Sequence, residues 1–328
     1  SNNFGKYLGN KWGGKYLRAP DIFFTILEKG KDKLVRLGDI AEVRFGIKTG
    51  ANEFFYLEPL GPGSMPGLLR VRNGAGWEGE IEEEFLKPVI KSPRECRSIV
   101  IKPEDLKYRI FMCHKSKAEL KGTRALQYIK WGEKKKYSNR PTCNSRSIWW
   151  SVPNEMGNSF WGKELRERIA VFASLIPLLA DCRLYVATVD QPLQLILNSV
   201  VTFLADEVKA RQYGGGGGPR SLMVYEVKQQ LVLSSNFIDN KRDQINNILL
   251  HLASKPVESI FTECGIDPES DIPISKQEPN PLPDRKALDD IVFDALGLTE
   301  EERKEVYRAV CQLVWERINR ARSVSGNG

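Results

Sequence analysis

The sequence changes in character near Ser235, and this change constrains the fold more than any other feature of the chain. Before it, short runs of β-forming residues such as 108–112 are separated by segments rich in glycine and proline, which is typical of short strands. After it, apolar residues recur with the spacing of amphipathic helices, over residues 238–252, 286–296 and 300–321. The order predicts an α+β fold, in which a mixed or antiparallel β-rich domain is followed by a helical C-terminal region.

The same pattern divides the chain into three parts. Residues 1–33 are expected to form a linker and a short helix that leads into the first domain, because a Gly-, Asn- and Lys-rich stretch is followed by an apolar run behind Pro20. Residues 34–235 are expected to form the α+β domain and residues 236–328 the helical region. A chain of 328 residues is long enough for about two domains with a substantial core.

Three segments of the α+β domain are predicted to be loops. Residues 46–50 are bounded by glycines and join two predicted strands, 37–43 and 53–57. Residues 59–79 contain closely spaced glycines and prolines. Residues 132–147 are polar and basic, and a loop of that length in a compact domain is usually functional or disordered.

Positive charge is concentrated in one quarter of the chain. The whole sequence carries 49 Lys and Arg against 42 Asp and Glu, a formal charge of +7. Residues 87–168 carry 20 basic and 8 acidic side chains, whereas residues 1–86 are neutral and residues 169–328 carry a net charge of −5. Aromatic residues are interleaved with the basic ones, a combination that suits contact with phosphates and bases. On charge alone, a nucleic-acid surface and a solvated lysine-rich face remain equally open.

The sequence contains no self-contained active site. Its six cysteines form no Cys-x-x-Cys pair and it has only two histidines, so we expect no metal site and no disulfide framework. The five glycines at 214–218 precede Pro219-Arg220-Ser221 rather than the Gly-Lys-Ser/Thr of a phosphate loop. No nucleophile is paired with a histidine base in a recognised motif. We therefore expect neither catalytic residues nor a bound cofactor in this chain.

Hydropathy does not predict a membrane protein. The sequence has no apolar stretch of about 18 residues, and its first residues lack the apolar core of a signal peptide. We expect a cytoplasmic protein with no membrane partner.

Several separated motifs resemble one known family. They are FGIKTGANEFFYL (45–57), FLKPVIKSPRE (85–95), ELKGTRALQYIKWGE (119–133), YGGGGGPRSLMVYEVKQQLVL (213–233) and ALDDIVFDALGLTEEERKEVYRAV (287–310). In this order they resemble the C-terminal half of TaqI-like adenine-specific DNA methyltransferases. That family belongs to restriction–modification or related phage-defence systems, and some members are fused to a nuclease. The resemblance extends over nearly the whole chain.

The resemblance implies a function as well as a fold. In this family the N-terminal half binds S-adenosylmethionine and carries an Asn-Pro-Pro-Tyr/Phe motif that holds a flipped adenine. Neither is present here, and the closest string, 280–283, lacks the aromatic residue. By resemblance, the chain is a target-recognition domain with helical support, which recognises a specific sequence in double-stranded DNA and has no catalytic activity of its own. S-adenosylmethionine then belongs to an upstream methyltransferase domain, the second expected partner besides DNA.

Two other interpretations remain open. In a protein–protein interaction module, the C-terminal helices dock a partner subunit and the basic block is merely solvated. A complete enzyme of an unrecognised type is disfavoured by the missing motifs.

Twelve residues are expected to contact DNA. They lie in the 46–52 loop, in a cluster at 91–94 whose backbone is a plausible phosphate cradle, and in the 132–147 segment, which is the expected variable element for reading bases. The twelve are Lys48, Asn52, Lys91, Ser92, Arg94, Lys134, Lys135, Lys136, Asn139, Arg140, Asn144 and Arg146.

Each of these assignments has a structural alternative. Asn52 is equally suited to stabilising a turn. The three consecutive lysines at 134–136 are also consistent with solvated, nonspecific charge. Trp149 and Trp150 are expected to belong to the core rather than to stack on bases, because neighbouring strand residues alternate faces and at least one should be buried.

Overall fold

A large mixed sheet and a set of C-terminal helices dominate the computed structural model, which describes residues 19–209, 211, 212 and 220–325. This architecture confirms the predicted α+β class. The predicted linker at 1–16 and the glycine run at 214–218 lie outside the described residues.

The strands and helices follow one another along the whole described chain. The strands are β1 (Leu34–Arg36), β2 (Arg44–Phe45), β3 (Tyr56–Pro62), β4 (Leu68–Asn73), β5 (Glu78–Glu82), β6 (Leu86–Ile90), β7 (Tyr108–Phe111), β8 (Gly157–Gly162), β9 (Glu164–Leu165), β10 (Val171–Ala180), β11 (Leu184–Ala187), β12 (Arg211–Gln212), β13 (Arg220–Ser221) and β14 (Leu231–Leu233). The α-helices are α1 (Asp21–Lys29), α2 (Leu37–Ile40), α3 (Asn52–Phe55), α4 (Arg124–Lys134), α5 (Pro141–Asn144), α6 (Gln191–Ile196), α7 (Val200–Lys209), α8 (Val224–Lys228), α9 (Arg242–Leu252), α10 (Ile260–Cys264), α11 (Pro283–Leu296) and α12 (Glu300–Ser325).

The main sheet has the strand order β2-β11-β8-β10-β6-β7-β3-β4-β5. Neighbouring strands are antiparallel except for β6 and β10, which are parallel. The long strand β10 pairs with β8 at its start, becomes irregular between Ala173 and Leu178, and then reaches β6. Beyond it, Asp181 bridges to Ile47, whose backbone N–H donates to the Ala180 carbonyl at 2.7 Å. The 46–52 loop is thereby fixed at the end of β10.

An aromatic core lies beneath the β3–β7 part of the sheet. Phe54 is fully buried and stacks on Tyr128 with the ring centroids 4.5 Å apart. The Tyr128 hydroxyl donates to the Phe54 carbonyl at 2.5 Å. Trp149 and Trp150 are buried in the same core, as predicted, although they lie in a turn and not in the strand that the prediction assumed. Because burying a large apolar side chain stabilises a fold by about 2 kcal/mol, this core holds α3 and α4 firmly against the sheet.

A second, larger core joins the strands β8, β10 and β11 to the helices. It contains a buried ionic cluster in which Arg285 contacts Glu263 at 2.7 Å and lies 3.9 Å from Asp289. Asp289 accepts a hydrogen bond from the Val200 backbone N–H at 2.8 Å, so it satisfies the first donor of α7. The cluster therefore ties α7, α10 and α11 together.

The first residues of the described chain also pack against the last helices. Lys29 in α1 donates to Glu302 in α12 at 2.6 Å, and β1 pairs with β14. The domain boundaries proposed from the sequence stay a prediction. Within the described residues, no helix has the length and apolar character needed to cross a membrane.

Residues 59–79 do not form the predicted loop but contribute to the meander β3-β4-β5. Gly67 and Gly76 have positive φ angles at its two turns, which explains part of the glycine content. In β4 only Leu68, Val71 and Asn73 are buried, because one face of this edge region meets solvent. The prediction of a loop was wrong because β4 buries only a few of its residues, so the sequence shows too few apolar residues there to reveal a strand.

Residues 132–147 are not the predicted long loop either. Helix α4 continues to Lys134, a 3-10 turn spans Tyr137–Asn139, and α5 follows. The helix has glycine at position 132 because a Cβ atom there would lie 2.5 Å from the Phe54 ring and 2.8 Å from Trp149. Tertiary packing therefore ordered a segment whose polar composition predicted a loop.

Two predicted strands also begin as short helices. Of residues 37–43, Leu37–Ile40 form α2 and residues 41–43 belong to neither a helix nor a strand, whereas residues 53–57 run from α3 into the start of β3. In each case one helical turn replaces the start of the expected strand.

Candidate nucleic-acid interface

The 46–52 loop is a rigid turn that presents one lysine to solvent. Gly50 has a φ of +81°, and the Thr49 hydroxyl bonds to the Asn52 side-chain oxygen while accepting from the Ala51 N–H at 3.3 Å. Asn52 is exposed and is the first residue of α3. It therefore stabilises the turn and also presents its side-chain amide to solvent. Lys48 is exposed, and no carboxylate of the described chain lies within ion-pair distance of it. The loop therefore offers one free cation and one amide.

Arg146 fastens this loop to the segment that follows α4. Its guanidinium donates to the Lys48 carbonyl at 2.7 Å, to the Thr49 carbonyl at 2.9 Å and to the Trp149 carbonyl at 3.3 Å. It also lies 5.6 Å from the Phe55 ring centroid. Partial burial lowers the pKa of Arg146. Three hydrogen bonds of this guanidinium are thus made within the protein.

Arg140 makes a second such link. It pairs with Glu53 of α3 and lies 4.7 Å from the Tyr137 ring centroid. The hydrogen bond from Arg140 lowers the pKa of Glu53, so this carboxylate stays ionised and the link persists near neutral pH. Arg140 and Arg146 together hold the 137–146 segment beside the 46–52 loop.

The remaining predicted residues of this segment face solvent. Lys134, Lys135 and Lys136 are exposed, and Lys136 has a φ of 62°, which lets the chain turn sharply after α4. Asn139 and Asn144 are also exposed. These five side chains are available to an external ligand, although nothing in their geometry selects one.

The 91–94 cluster lies at the end of β6. The Lys91 ammonium lies 3.8 Å from the Tyr108 ring centroid. The Ser92 hydroxyl accepts from the Arg94 N–H at 3.3 Å and so caps the 3-10 turn Pro93–Glu95. Arg94 is exposed.

Two depressions connect these segments. The first, here called the polar groove, encloses about 360 Å³. Its lining includes Asn52, Glu53, Tyr56, Lys91, Tyr108 and Arg183. At its base the Tyr56 hydroxyl donates to Asp181 at 2.5 Å, and burial raises the pKa of Tyr56, so this tyrosine remains a protonated donor. The groove therefore contains residues from two of the three predicted segments, and Arg140 joins the third to Glu53 in its wall.

The second depression, here called the cationic cleft, encloses about 670 Å³. Its lining includes Ser92, Arg94, Lys163, Glu164, Arg166, Arg168, Phe172, Cys182 and Arg183. Arg183 lines both depressions, so they adjoin. Sequence reasoning identified only Ser92 and Arg94 here. The alternating charges at 163–168 were a weak local signal, but no sequence pattern connects Arg183 with Arg94.

No group of three or more metal-ligating side chains converges anywhere in the described part of the chain.

Comparison with known proteins found a solved structure with a similar fold but no protein family or curated protein with a matching sequence. No family model matches the chain, and no curated protein matches it. Among solved structures, the chain is similar to the crystal structure of the type IIG restriction endonuclease BpuSI, with a TM-score of 0.58 and 12% identical residues. The match covers 94% of this chain and 34% of the other. This chain therefore has a fold that occurs within a restriction endonuclease, of which it spans about one third.

Proposed function

We propose that this chain is the sequence-specific double-stranded DNA recognition module of an adenine-specific DNA methyltransferase of the restriction–modification type. The proposal rests on one observation, which is that predicted residues from separate parts of the chain lie close together in space. Residues predicted from three separate segments meet at the 46–52 loop and the polar groove, where exposed cations stand beside amide groups. Phosphate contacts by cations set position, and amide or cationic contacts to base edges supply specificity.

We propose that the twelve predicted residues divide by role. Contact with phosphates suits the exposed cations and the Ser92 turn; contact with base edges suits the exposed amides and the cation at the groove. The proposed phosphate contacts are Lys48, Ser92, Arg94, Lys134, Lys135 and Lys136, and the proposed base contacts are Asn52, Lys91, Asn139 and Asn144. Arg140 and Arg146 are proposed to act indirectly, because their donors hold the segment in place.

Two lines of similarity support the restriction–modification setting. The motifs resemble the recognition half of TaqI-like methyltransferases, and the fold is similar to part of a type IIG restriction endonuclease. By this proposal, methyl transfer from S-adenosylmethionine belongs to an upstream domain of the parent protein, any nuclease activity of the parent belongs to another part, and this chain alone is not an enzyme.

A salt series on duplex binding tests the proposal. The logarithm of the affinity should fall linearly with the logarithm of salt concentration, with a slope of about −0.9 per phosphate contacted. If the five exposed cations named above each contact one phosphate, the slope is about −4.5. Selection from a randomised duplex library should also enrich one sequence. Absence of duplex binding at low salt would refute the proposal.

A second assay addresses catalysis. The purified chain, mixed with labelled S-adenosylmethionine and duplex DNA, should transfer no methyl group. Turnover by this chain alone would show that it is itself an enzyme. The competing idea of a protein-docking module predicts no duplex binding and capture of a partner that persists when the five cations are replaced.

A further inference from the structure

We propose that the cationic cleft binds phosphodiester groups of a DNA strand, and that Arg94, Lys163 and Arg166 are its principal phosphate contacts. This inference rests on the proposed function and extends it from Arg94, in the predicted 91–94 cluster, to Lys163 and Arg166, which lie outside the predicted recognition segments. The cleft lies between the 3-10 turn after β6, the chain around β9, and the turn that joins β10 to β11.

The charge of the lining is strongly unbalanced. It contains five cationic side chains and one acidic side chain, Glu164. Among the described residues, no carboxylate lies within 4 Å of the charged groups of Arg94, Lys163 or Arg166. Like charges gathered in a concavity repel one another, and a concave wall focuses their field, so the cleft favours an anion.

The other two arginines have partners that fix the walls. Arg168 donates to the carbonyls of Cys96, Arg97 and Val257 at 2.6, 2.7 and 3.0 Å. Arg183 lies 3.7 Å from Asp181, whose side chain is only 2% exposed. A guanidinium held by neutral carbonyls keeps its full charge, so Arg168 contributes to the field without being free to move.

The apolar part of the lining suits a nucleic-acid strand better than a bare anion. Phe172 lines the cleft, and Lys163 lies 4.8 Å from the ring centroid of Phe45, which is 54% exposed. Surfaces that bind nucleic acid combine exposed aromatic rings with cations, so that a ring contacts apolar parts of the strand while the cation contacts phosphate. Free phosphate gains nothing from such a ring.

Continuity with the polar groove sets the path of the strand. Arg183 belongs to both linings, and Lys91 in the groove is separated from Arg94 in the cleft by two residues. A strand whose bases contact the groove would then place neighbouring phosphates in the cleft. The inference therefore adds contacts on one side of the recognition segments rather than a second, unrelated site.

Cys182 provides a direct probe of the cleft. It lines the cleft and is half-buried, whereas the other five cysteines are buried. N-ethylmaleimide, which is uncharged, should therefore label the folded chain mainly at Cys182, and C182S should abolish that label. Because burial raises the pKa of the Cys182 thiol, labelling is best followed at a mildly alkaline pH by intact mass.

Saturating duplex DNA should slow labelling of Cys182 at least tenfold, whereas millimolar ATP or inorganic phosphate should not. The variant R94A/K163A/R166A should flatten the salt slope by about 2.7, at 0.9 per lost phosphate contact. The charge-preserving variant R94K/R166K should keep the slope. K286A/K304A is the matched control, because these two lysines are already paired with Asp290 and Glu278 at 2.6 Å.

The outcomes separate the two proposals. If duplex DNA binds but Cys182 reacts at the same rate and the triple variant keeps its slope, the cleft assignment is overturned while DNA recognition stands. If ATP protects Cys182 and DNA does not, the cleft is a nucleotide site and the assignment is also overturned. If no duplex binds at low salt, both proposals fail.

Discussion

Replacement of Arg146 by alanine should reduce stability without changing the number of phosphates contacted. Its guanidinium donates to three backbone carbonyls, two of them at 2.7 and 2.9 Å in the 46–52 loop. A hydrogen bond that involves a charged group contributes about 1.5–3 kcal/mol when buried. Because this site is only partly buried, water replaces part of each bond, so we expect R146A to lower the free energy of unfolding by about 2 kcal/mol.

Urea denaturation and a salt series, done on the same variants, test this reasoning together. R146A should shift the denaturation midpoint and weaken DNA binding at every salt concentration, but the salt slope should match that of the unchanged chain. K48A should do the reverse: its side chain is exposed, so stability is kept, and the slope should flatten by about 0.9.

R146K separates charge from geometry. Lysine keeps the charge but lacks the planar fork that reaches several carbonyls at once, so R146K should resemble R146A in stability. If R146A leaves the unfolding free energy unchanged and flattens the salt slope, Arg146 contacts phosphate and does not hold the 46–52 loop in place.

Three further predictions concern other parts of the molecule. K134A/K135A/K136A should weaken binding to all duplexes and flatten the salt slope by about 2.7. Stability should not change, because all three side chains are exposed. Unchanged binding would show that these lysines do not contact DNA. G50A should lower the free energy of unfolding by about 1–3 kcal/mol, because the position has a φ of +81° and a Cβ there would lie 2.6 Å from Thr142; an unchanged denaturation midpoint would contradict this. Burial raises the pKa of Asp289 from its usual 3.8 to about 7, so its contribution to stability is full below about pH 4 and is lost as the pH rises through 7. The free energy of unfolding of D289N should therefore fall less between pH 4.5 and 8 than that of the unchanged chain. Equal decreases in a pH series of urea melts would show that the pKa of Asp289 is not raised.

The helical C-terminal region was predictable because its elements carry their own signals. Thr299 accepts from the Glu302 N–H at 3.3 Å while Glu302 accepts from the Thr299 N–H at 2.7 Å, the reciprocal cap that starts α12. Such contacts span three residues, so local sequence determines them. The burial of Trp149 and Trp150 was predicted correctly from an expected strand that did not form; their large apolar side chains are buried in the turn that replaces it.

The 59–79 and 132–147 segments show why local signals failed elsewhere. In β4 one face meets solvent, and the strand is held by pairing with β3 and β5 rather than by its own composition. The end of α4 is held by contact of Gly132 with Phe54 and Trp149. Polar composition therefore indicated exposure correctly but said nothing about backbone conformation.

For function, the sequence by itself determined the chemistry: a basic quarter of the chain, amide groups within it, no motif for catalysis, and a resemblance to DNA-recognition domains. Only the tertiary structure decided which of those cations are free. Arg140 and Arg146 are used internally, whereas Arg94, Lys163 and Arg166 share a cleft with Arg183. Arg94 and Arg183 are 89 positions apart in the chain, and the strand order β11-β8-β10-β6 brings them together. These residues become neighbours only because strands that are distant in the sequence pair with one another. No periodicity or spacing along the chain indicates that pairing.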